Sequence, residues 1–292
     1  MTSIASSSDR VSTGASIAGS DGGSSQRLLL TLNGVEDRVQ IVLSQGTSLV
    51  LHQEWAAPAR VMRFLVPALE QALNLLGLKM HDLSGIACVR GPGNFTGLRL
   101  CLATTYGLAL GAGLPMTGLD YLPLLAAGPA PLLQGRLAVL THARTRLVHA
   151  QSFQITVPSA SREISTEPRV MPLNDPRILA VDVPDDLHAV LGNDDHPLYL
   201  LGSGVRRNLE WIKAGLPQAR ILDPSWDAPQ SHVLIQAAMN ATFGLTPIEP
   251  LYLRPCDAEE NLEFFAAKRG FSGREARDRI REETTGEVEE RA

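Results

Sequence analysis

One segment of the chain combines residue types and spacing that could do chemistry: Arg90-Gly91-Pro92-Gly93-Asn94-Phe95-Thr96-Gly97-Leu98-Arg99. It sits between an apolar run that reads as a strand, Ser84 to Val89, and one that reads as a helix, about Thr96 to Gly111. Gly91 and Gly93 open backbone conformations closed to other residues, and Pro92 stiffens the loop. Asn94 or Thr96 can cap the helix that follows. Amides exposed at a helix start attract a phosphate or a carboxylate. The loop therefore reads either as a strand-to-helix turn or as an anion site. It is not a Walker loop, because no Gly-Lys-Ser/Thr is present. Its glycines at 91, 93 and 97 miss the dinucleotide-binding spacing by one position.

The other reactive side chains form no such constellation. The seven histidines are His52, His81, His142, His149, His188, His196 and His232, and no two are three or four positions apart. Two histidines at that spacing would share one side of a helix and could hold a metal together. No Ser-His-Asp or Cys-His arrangement is supported. His142 and His149 flank an expected hairpin and read as surface or packed residues, and Asp185-Asp186 and Asp194-Asp195 read as solvated turns. The three cysteines, Cys88, Cys101 and Cys256, include no Cys-x-x-Cys pair. They read as reduced, buried thiols of a cytoplasmic protein.

The elements that must position the loop can be read on both sides of it. Leu28 to Leu32, Val39 to Leu43 and Ser48 to Trp55 form three strands joined by turns at Asn33-Gly34, Glu36-Asp37 and Gln45-Gly46, an antiparallel meander. From about Ala59 to Leu76, Val61, Phe64, Leu65, Ala68, Leu69, Ala72, Leu73 and Leu76 recur at helical spacing. Pro67 lies inside this helix and Gly77 ends it. After the loop and its helix come a strand, Met116 to Leu119, and a short helix, Tyr121 to Ala127. Pro129 and Pro131 mark a boundary. A second unit then partly echoes the first: strands at Leu137 to Thr141 and Leu147 to Phe153, a polar loop from Ser159 to Asp175, and a strand at Leu198 to Leu201 ending in Gly202-Ser203-Gly204. A helix at Arg206 to Ala214, a strand at Ala219 to Leu222 and a helix at Ser231 to Phe243 follow.

The chain of 292 residues is 44% hydrophobic, enough for a large core in one or two units. Its formal net charge of −5 implies no autonomous nucleic-acid surface. Residues 1–26 are Ser- and Gly-rich, without apolar periodicity, and read as a disordered extension rather than a secretory signal. The expected division is a first lobe at 27–135 carrying the glycine loop, a second lobe with a returning segment at 136–254, and a charged tail at 255–292, helical in Asn261 to Lys268. No membrane span is expected, since Leu119 to Leu133 is short and broken by prolines.

Gly91-Pro92-Gly93-Asn94-Phe95-Thr96-Gly97-Leu98-Arg99, with Leu102-Ala103-Thr104 and Gly107-Leu108-Ala109-Leu110 behind it, resembles the hallmark of the TsaB (YeaZ) family. The usual form of that hallmark is Gly-Pro-Gly-Ser-Phe-Thr-Gly-hydrophobic-Arg. Pro250-Leu251-Tyr252-Leu253-Arg254 resembles the family's closing Pro-x-Tyr-Leu-Arg, and the order of elements agrees from about Arg27 to Arg254. The resemblance implies an α/β actin-like ATPase (ribonuclease-H-like) fold with two tandem lobes. It implies a non-catalytic subunit that binds and activates TsaD in tRNA threonylcarbamoyladenosine synthesis. An ATPase, TsaE, would join the pair, and tRNA would be met only through the complex. Arg63, Phe64 and Glu70 would border the partner interface, and a homodimer would form in its absence. Part of the motif is shared with the catalytic paralogue TsaD, whose His-x-x-x-His metal pair this chain lacks, so neither a metal nor another cofactor is expected. Actin-like ATPases place an Asp at the end of the first strand of each lobe to hold magnesium and phosphate. Here those positions read Leu32-Asn33-Gly34 and Thr141-His142-Ala143-Arg144, a departure from the family as well. A stand-alone metallopeptidase-like enzyme, an ATP-dependent transferase or a small-molecule kinase of the same fold stay open as alternatives.

Overall fold

The computed structural model describes residues 26–56, 61–156, 168–191 and 197–253. Residues 1–25, the tail from 254 with Cys256 and the Asn261–Lys268 stretch, and Asp194-Asp195 lie outside the described residues.

The apolar run Leu28–Asn33 is β1, and every residue from Leu29 onward is buried. A strand apolar on both faces belongs in the middle of a covered sheet. β1 pairs antiparallel with β2 (Arg38–Gln45), and β2 pairs antiparallel with β3 (Ser48–Ala56). β3 alternates half-buried and exposed residues, as an edge strand does. On its other side β1 pairs parallel with β4 (Gly85–Val89), and β4 pairs parallel with β5 (Met116–Leu119). The five-stranded sheet thus runs β3-β2-β1-β4-β5. Parallel neighbours need crossover helices, supplied by α1 (Val61–Leu76) and α2 (Phe95–Ala112), which pack side by side.

The second lobe repeats this order. β6 (Gly135–Arg144) and β7 (Leu147–Thr156) form the hairpin read from sequence, and β7 is extended by β8 (Arg169–Pro172) and β9 (Arg177–Ala180). β6 pairs parallel with β10 (Leu198–Leu201), which pairs parallel with β11 (Arg220–Ile221). The sheet order β8-β7-β6-β10-β11 matches β3-β2-β1-β4-β5 strand for strand and in polarity. This is the two-lobed actin-like ATPase (ribonuclease-H-like) architecture expected from the resemblance.

Three local expectations are corrected. The polar stretch Ser159 to Asp175 holds β8 in its described part, because backbone pairing with β7 supplies what its side chains do not. Asp185-Asp186 lie in the first turn of α4 (Pro184–Leu191), where carboxylates suit the positive end of the helix dipole. The single helix read at Arg206 to Ala214 is two, α5 (Ser203–Arg207) and α6 (Leu209–Gly215). They break at Asn208, whose side-chain amide donates to the Gly204 carbonyl at 2.8 Å and competes with helical continuation.

The last helix of each half packs on the sheet of the other. α3 (Tyr121–Ala127) touches β6, β7 and β8, whereas α7 (Ser231–Asn240) touches β1, β2, β3 and β5. α3 and α7 also touch each other. One buried cluster therefore runs from Leu29, Ile41 and Leu98 through Tyr121 and Leu125 to Leu137, Phe153 and Leu234. Among the described residues no helix is long and apolar enough to cross a membrane.

Candidate functional site

The glycine loop is shaped by what it packs against. Gly91 has φ +106 and the Gly91–Pro92 peptide is cis. A Cβ on Gly93 would overlap Val35 Cγ1, and one on Gly97 would lie 2.5 Å from the Gly34 carbonyl oxygen. Gly34 in turn faces Cys101 of α2 so closely that a Cβ there would overlap the sulfur. These glycines let the turn after β1 lie directly on the first turns of α2. Asn94 caps that helix, its Oδ1 accepting from the Thr96 amide at 3.1 Å, and Gly113 ends it with φ +65. Gly91, Pro92 and Gly97 are buried, Gly93 and Phe95 half-buried, and Asn94, Thr96 and Arg99 exposed.

The loop's exposed end meets the closing motif, 153 positions away in sequence. The Arg99 guanidinium lies 3.7 Å from the Phe95 ring centroid and 5.5 Å from that of Tyr252, and Arg99 Nε donates to the Tyr252 hydroxyl at 2.6 Å. The two rings stack at 5.2 Å. The Leu251 amide donates to the Arg90 carbonyl at 2.7 Å, and Arg90 Nε reaches Asp120 Oδ1 at 2.6 Å. Phe95 and Arg99 thus form a single surface with Tyr252, a residue that the sequence reading quoted for resemblance and gave no place in the site.

A second cluster joins the lobes, and it was not read from sequence. Glu36, in the turn after β1, has φ +62 and is half-buried, with its carboxyl at the enclosed end. The buried Tyr121 hydroxyl donates to its Oε2 at 3.0 Å, and the Ser203 hydroxyl donates to its Oε1. The backbone amide of His142 donates to Ser203 Oγ at 2.9 Å and also favours the charged carboxyl. Burial outweighs these donors and pushes the Glu36 carboxyl above its ordinary range, helped by the nearby Asp227. Asp227 itself holds Arg206, at 2.8 Å to Nε, and accepts the Gly202 amide at 2.7 Å. On the rim, Arg207 lies 3.4 Å from Asp37. The one sequence signal for this cluster was positional: Gly202-Ser203-Gly204 follows β10 as Gly91-Pro92-Gly93 follows β4.

Asn33, where an actin-like ATPase carries its first Asp, is fully buried. Its Nδ2 donates to Gln40 Oε1 at 2.8 Å and its Oδ1 accepts from the Val35 amide at 3.0 Å. Both ends of the side chain are engaged within the lobe. Among the described residues no group of three or more His, Cys, Asp or Glu is placed to hold a metal ion. Cys88 and Cys101 are buried free thiols, and burial pushes Cys88 up to about 12, so neither is poised as a nucleophile.

The outer helical layer exposes several large apolar side chains. Phe64 (40% exposed), Val66 and Leu75 (78%) of α1 and Tyr106 and Leu110 (70%) of α2 face solvent. On α2 the exposed positions Thr96, Arg99, Ala103, Tyr106 and Leu110 recur at helical spacing, so the stripe starts at the Phe95–Arg99–Tyr252 cluster. Glu70 is exposed on α1, and the Arg63 side chain lies outside the described set.

A family model described as "TsaD: tRNA N6-adenosine threonylcarbamoyltransferase" matches residues 57–174. The chain is 32% identical over 100 residues to the tRNA threonylcarbamoyladenosine biosynthesis protein TsaB of Escherichia coli, covering 34% of this chain and 43% of that protein. It is 46% identical over 59 residues to the tRNA N6-adenosine threonylcarbamoyltransferase of Maricaulis maris, covering 20% of this chain and 16% of that one. The chain thus spans less than half the length of these curated relatives. The solved structure of YeaZ from Pseudomonas aeruginosa superposes with a TM-score of 0.62 at 22% identity, covering 78% of this chain and 100% of that one. The chain is thus similar to TsaB through its glycine motif and the matched stretch of sequence, and it shares the fold of YeaZ.

Proposed function

We propose that this chain serves tRNA threonylcarbamoyladenosine synthesis as a non-catalytic subunit that binds and activates TsaD. The observation that carries the reading is the exposed apolar layer of α1 and α2. Phe64 and Leu75 on one flank of α1, Val66 on the other, and Tyr106 and Leu110 on the neighbouring α2 are large apolar side chains left exposed, more than solvated helices need, and exposed apolar surface of this kind marks partner sites. Aromatic and aliphatic anchors of this kind supply most of the affinity of an interface. Phe64 and Glu70 lie on this layer, and the backbone of Arg63 belongs to the same helix. Without the partner, the layer pairs with its copy about a two-fold axis. TsaE and tRNA join through the complex, in keeping with a chain of net charge −5.

The test is co-purification with TsaD of the same organism, followed by light scattering. A one-to-one complex with more modifying activity than TsaD alone is expected. Tyr106→Glu with Leu110→Glu should abolish it while leaving the melting temperature nearly unchanged. Retention of the complex by that variant would refute the assignment of the face.

The family-model match favours a second reading, that the chain itself is a transferase. The matched stretch holds His81, in a short turn, and His142 and His149, in strands β6 and β7, so no two of them form a helical pair, and Asn33 replaces the phosphate-side carboxylate. ATP turnover or adenosine modification by the isolated chain would establish that reading in place of the first.

A further inference from the structure

Among the described residues the two sheets end in four edge strands, β3, β5, β8 and β11, and three of these offer little to a further strand. On β5, Met116 and Gly244 each donate their amide to the other's carbonyl, at 2.7 and 2.9 Å. β11 has two residues. β8 has four and ends in Pro172, which has no amide to give. β3 differs. It runs nine residues, Ser48–Ala56, without a proline, lysine or arginine. Unpaired amides and carbonyls along such an edge template another strand, and those residues are what blunt it elsewhere. The strand's one carboxylate, Glu54, is neutralised by Arg38 of β2 and accepts from Gln40 Nε2 at 2.8 Å. The edge therefore carries no net charge that would repel a copy of itself.

We propose that β3 pairs antiparallel with β3 of a second copy, about a two-fold axis at Gln53, and joins the two five-stranded sheets into one. The strand is self-complementary in that register. Opposed residues of an antiparallel pair share a face, so a two-fold perpendicular to the sheet must be centred on a residue. With Gln53 at the centre, His52 of each copy meets Glu54 of the other on the exposed face. On the opposite face Leu51 meets Trp55, both packed against the core of their own lobe. Val50 meets Ala56, and no like charges are opposed. A centre at Glu54 would set two carboxylates against each other. A centre at His52 would set Leu51 against Gln53 and Val50 against Glu54, losing both matched pairs. The edge shares no residue with the exposed side chains of α1 and α2, so the proposal is independent of whether that layer binds a partner.

The experiment uses the full chain carrying Tyr106→Glu and Leu110→Glu, which removes pairing through the helical layer. Sedimentation over a dilution series should still show a concentration-dependent dimer. Amides of residues 48–56 should exchange more slowly in concentrated than in dilute protein. Adding His52→Glu opposes carboxylates at two places and should weaken the dimer about tenfold. Val50→Lys, which puts on the edge the residue that blunts natural edges, should weaken it as well. His52→Gln, which opposes no like charges, should keep it. A monomer at every concentration would overturn the proposal, as would a dimer indifferent to His52→Glu and Val50→Lys. Slow exchange at 48–56 that does not change on dilution would give the edge to a segment of the same chain, and would overturn it equally. Val50 and His52 lie on the exposed face, so their variants should fold. Should they not, the concentration dependence of exchange in the parent alone decides.

Discussion

The two lobes share strand order and polarity, yet they expose different things. In the first lobe the crossover helices are long, 16 and 18 residues, and α2 runs without interruption from its Asn94 cap to Gly113. In the second the corresponding helices are α4, with eight residues, and the broken pair α5 and α6, with five and seven. Each loop after the fourth strand packs on the first strand's end through glycines. Gly97 meets the Gly34 carbonyl, and Gly204 would place a Cβ 2.7 Å from the Leu140 carbonyl. Yet the first lobe's loop leads to an exposed apolar helix, whereas the second lobe's loop turns its Ser203 inward to Glu36. The same scaffold yields an outward face in one half and an inward clasp in the other. The difference lies in helix length and in one hydroxyl.

The largest effect expected within this comparison is overpacking at the loop. Gly97→Val drives branched carbon into the backbone of the turn after β1, which cannot move aside as a side chain could. A loss of about 3 kcal/mol is expected in denaturant unfolding. An unaltered midpoint would mean that the turn after β1 is looser than its close packing on α2 implies.

Next comes a pair of glycine substitutions. Glu36 and Arg146, in the matching turns of the two lobes, both hold φ near +60, at 62 and 60. Glycine relieves that strain at either site by about 1 kcal/mol. Arg146 gives up an exposed ion pair with Asp182 and an exposed cation–π contact with Trp211, so Arg146→Gly should change stability by less than about 1 kcal/mol. Glu36→Gly also takes the acceptor from the Tyr121 and Ser203 hydroxyls, so a net loss of about 1–3 kcal/mol is expected. Equal effects at the two sites would erase the distinction between clasp and turn.

The smallest effect is a pH slope. Burial raises the Glu36 carboxyl in the folded protein, so the folded state holds its proton more tightly than the unfolded chain. The stability of the protonated form is therefore full below the ordinary carboxylate range. It is lost as pH rises from there through the raised folded value. Tyr121, Ser203, the His142 amide and Asp227 face the carboxyl, with Arg38 near Tyr121. Glu36→Gln, which cannot ionise, should gain on the wild type across that window in melting temperature. Parallel curves would show that another group dominates the pH dependence.

Much of this was legible in the sequence because its physics is local. The Leu28–Leu32 run, the Ala59–Leu76 periodicity and the glycine at 77 fix elements through burial and backbone freedom alone. The loop from Gly91 to Arg99 could be seen to shape a strand-to-helix turn. β8 could not be read, because it is four residues, Arg169–Pro172, ending in a proline beside a polar stretch, and its partner β7 supplies the reason for the strand. Nor could the clasp, since Glu36 and Ser203 are 167 positions apart and each looks like an ordinary turn residue. The Tyr252 contact with Arg99 was likewise invisible, because the two motifs that hold these residues lie 153 positions apart and neither points to the other. Long-range polar pairs leave no periodic signal, whereas buried faces do.

The exchanged final helices carry a consequence for how such a molecule arises. α3 ends the first half but covers the second sheet, and α7 ends the second half but covers the first. A single half expressed alone would leave one sheet face bare and carry a helix with nothing to cover. Two identical halves would satisfy each other by swapping those helices. The duplicated strand order and the exchanged helices thus give the chain the geometry of a helix-swapped pair joined end to end.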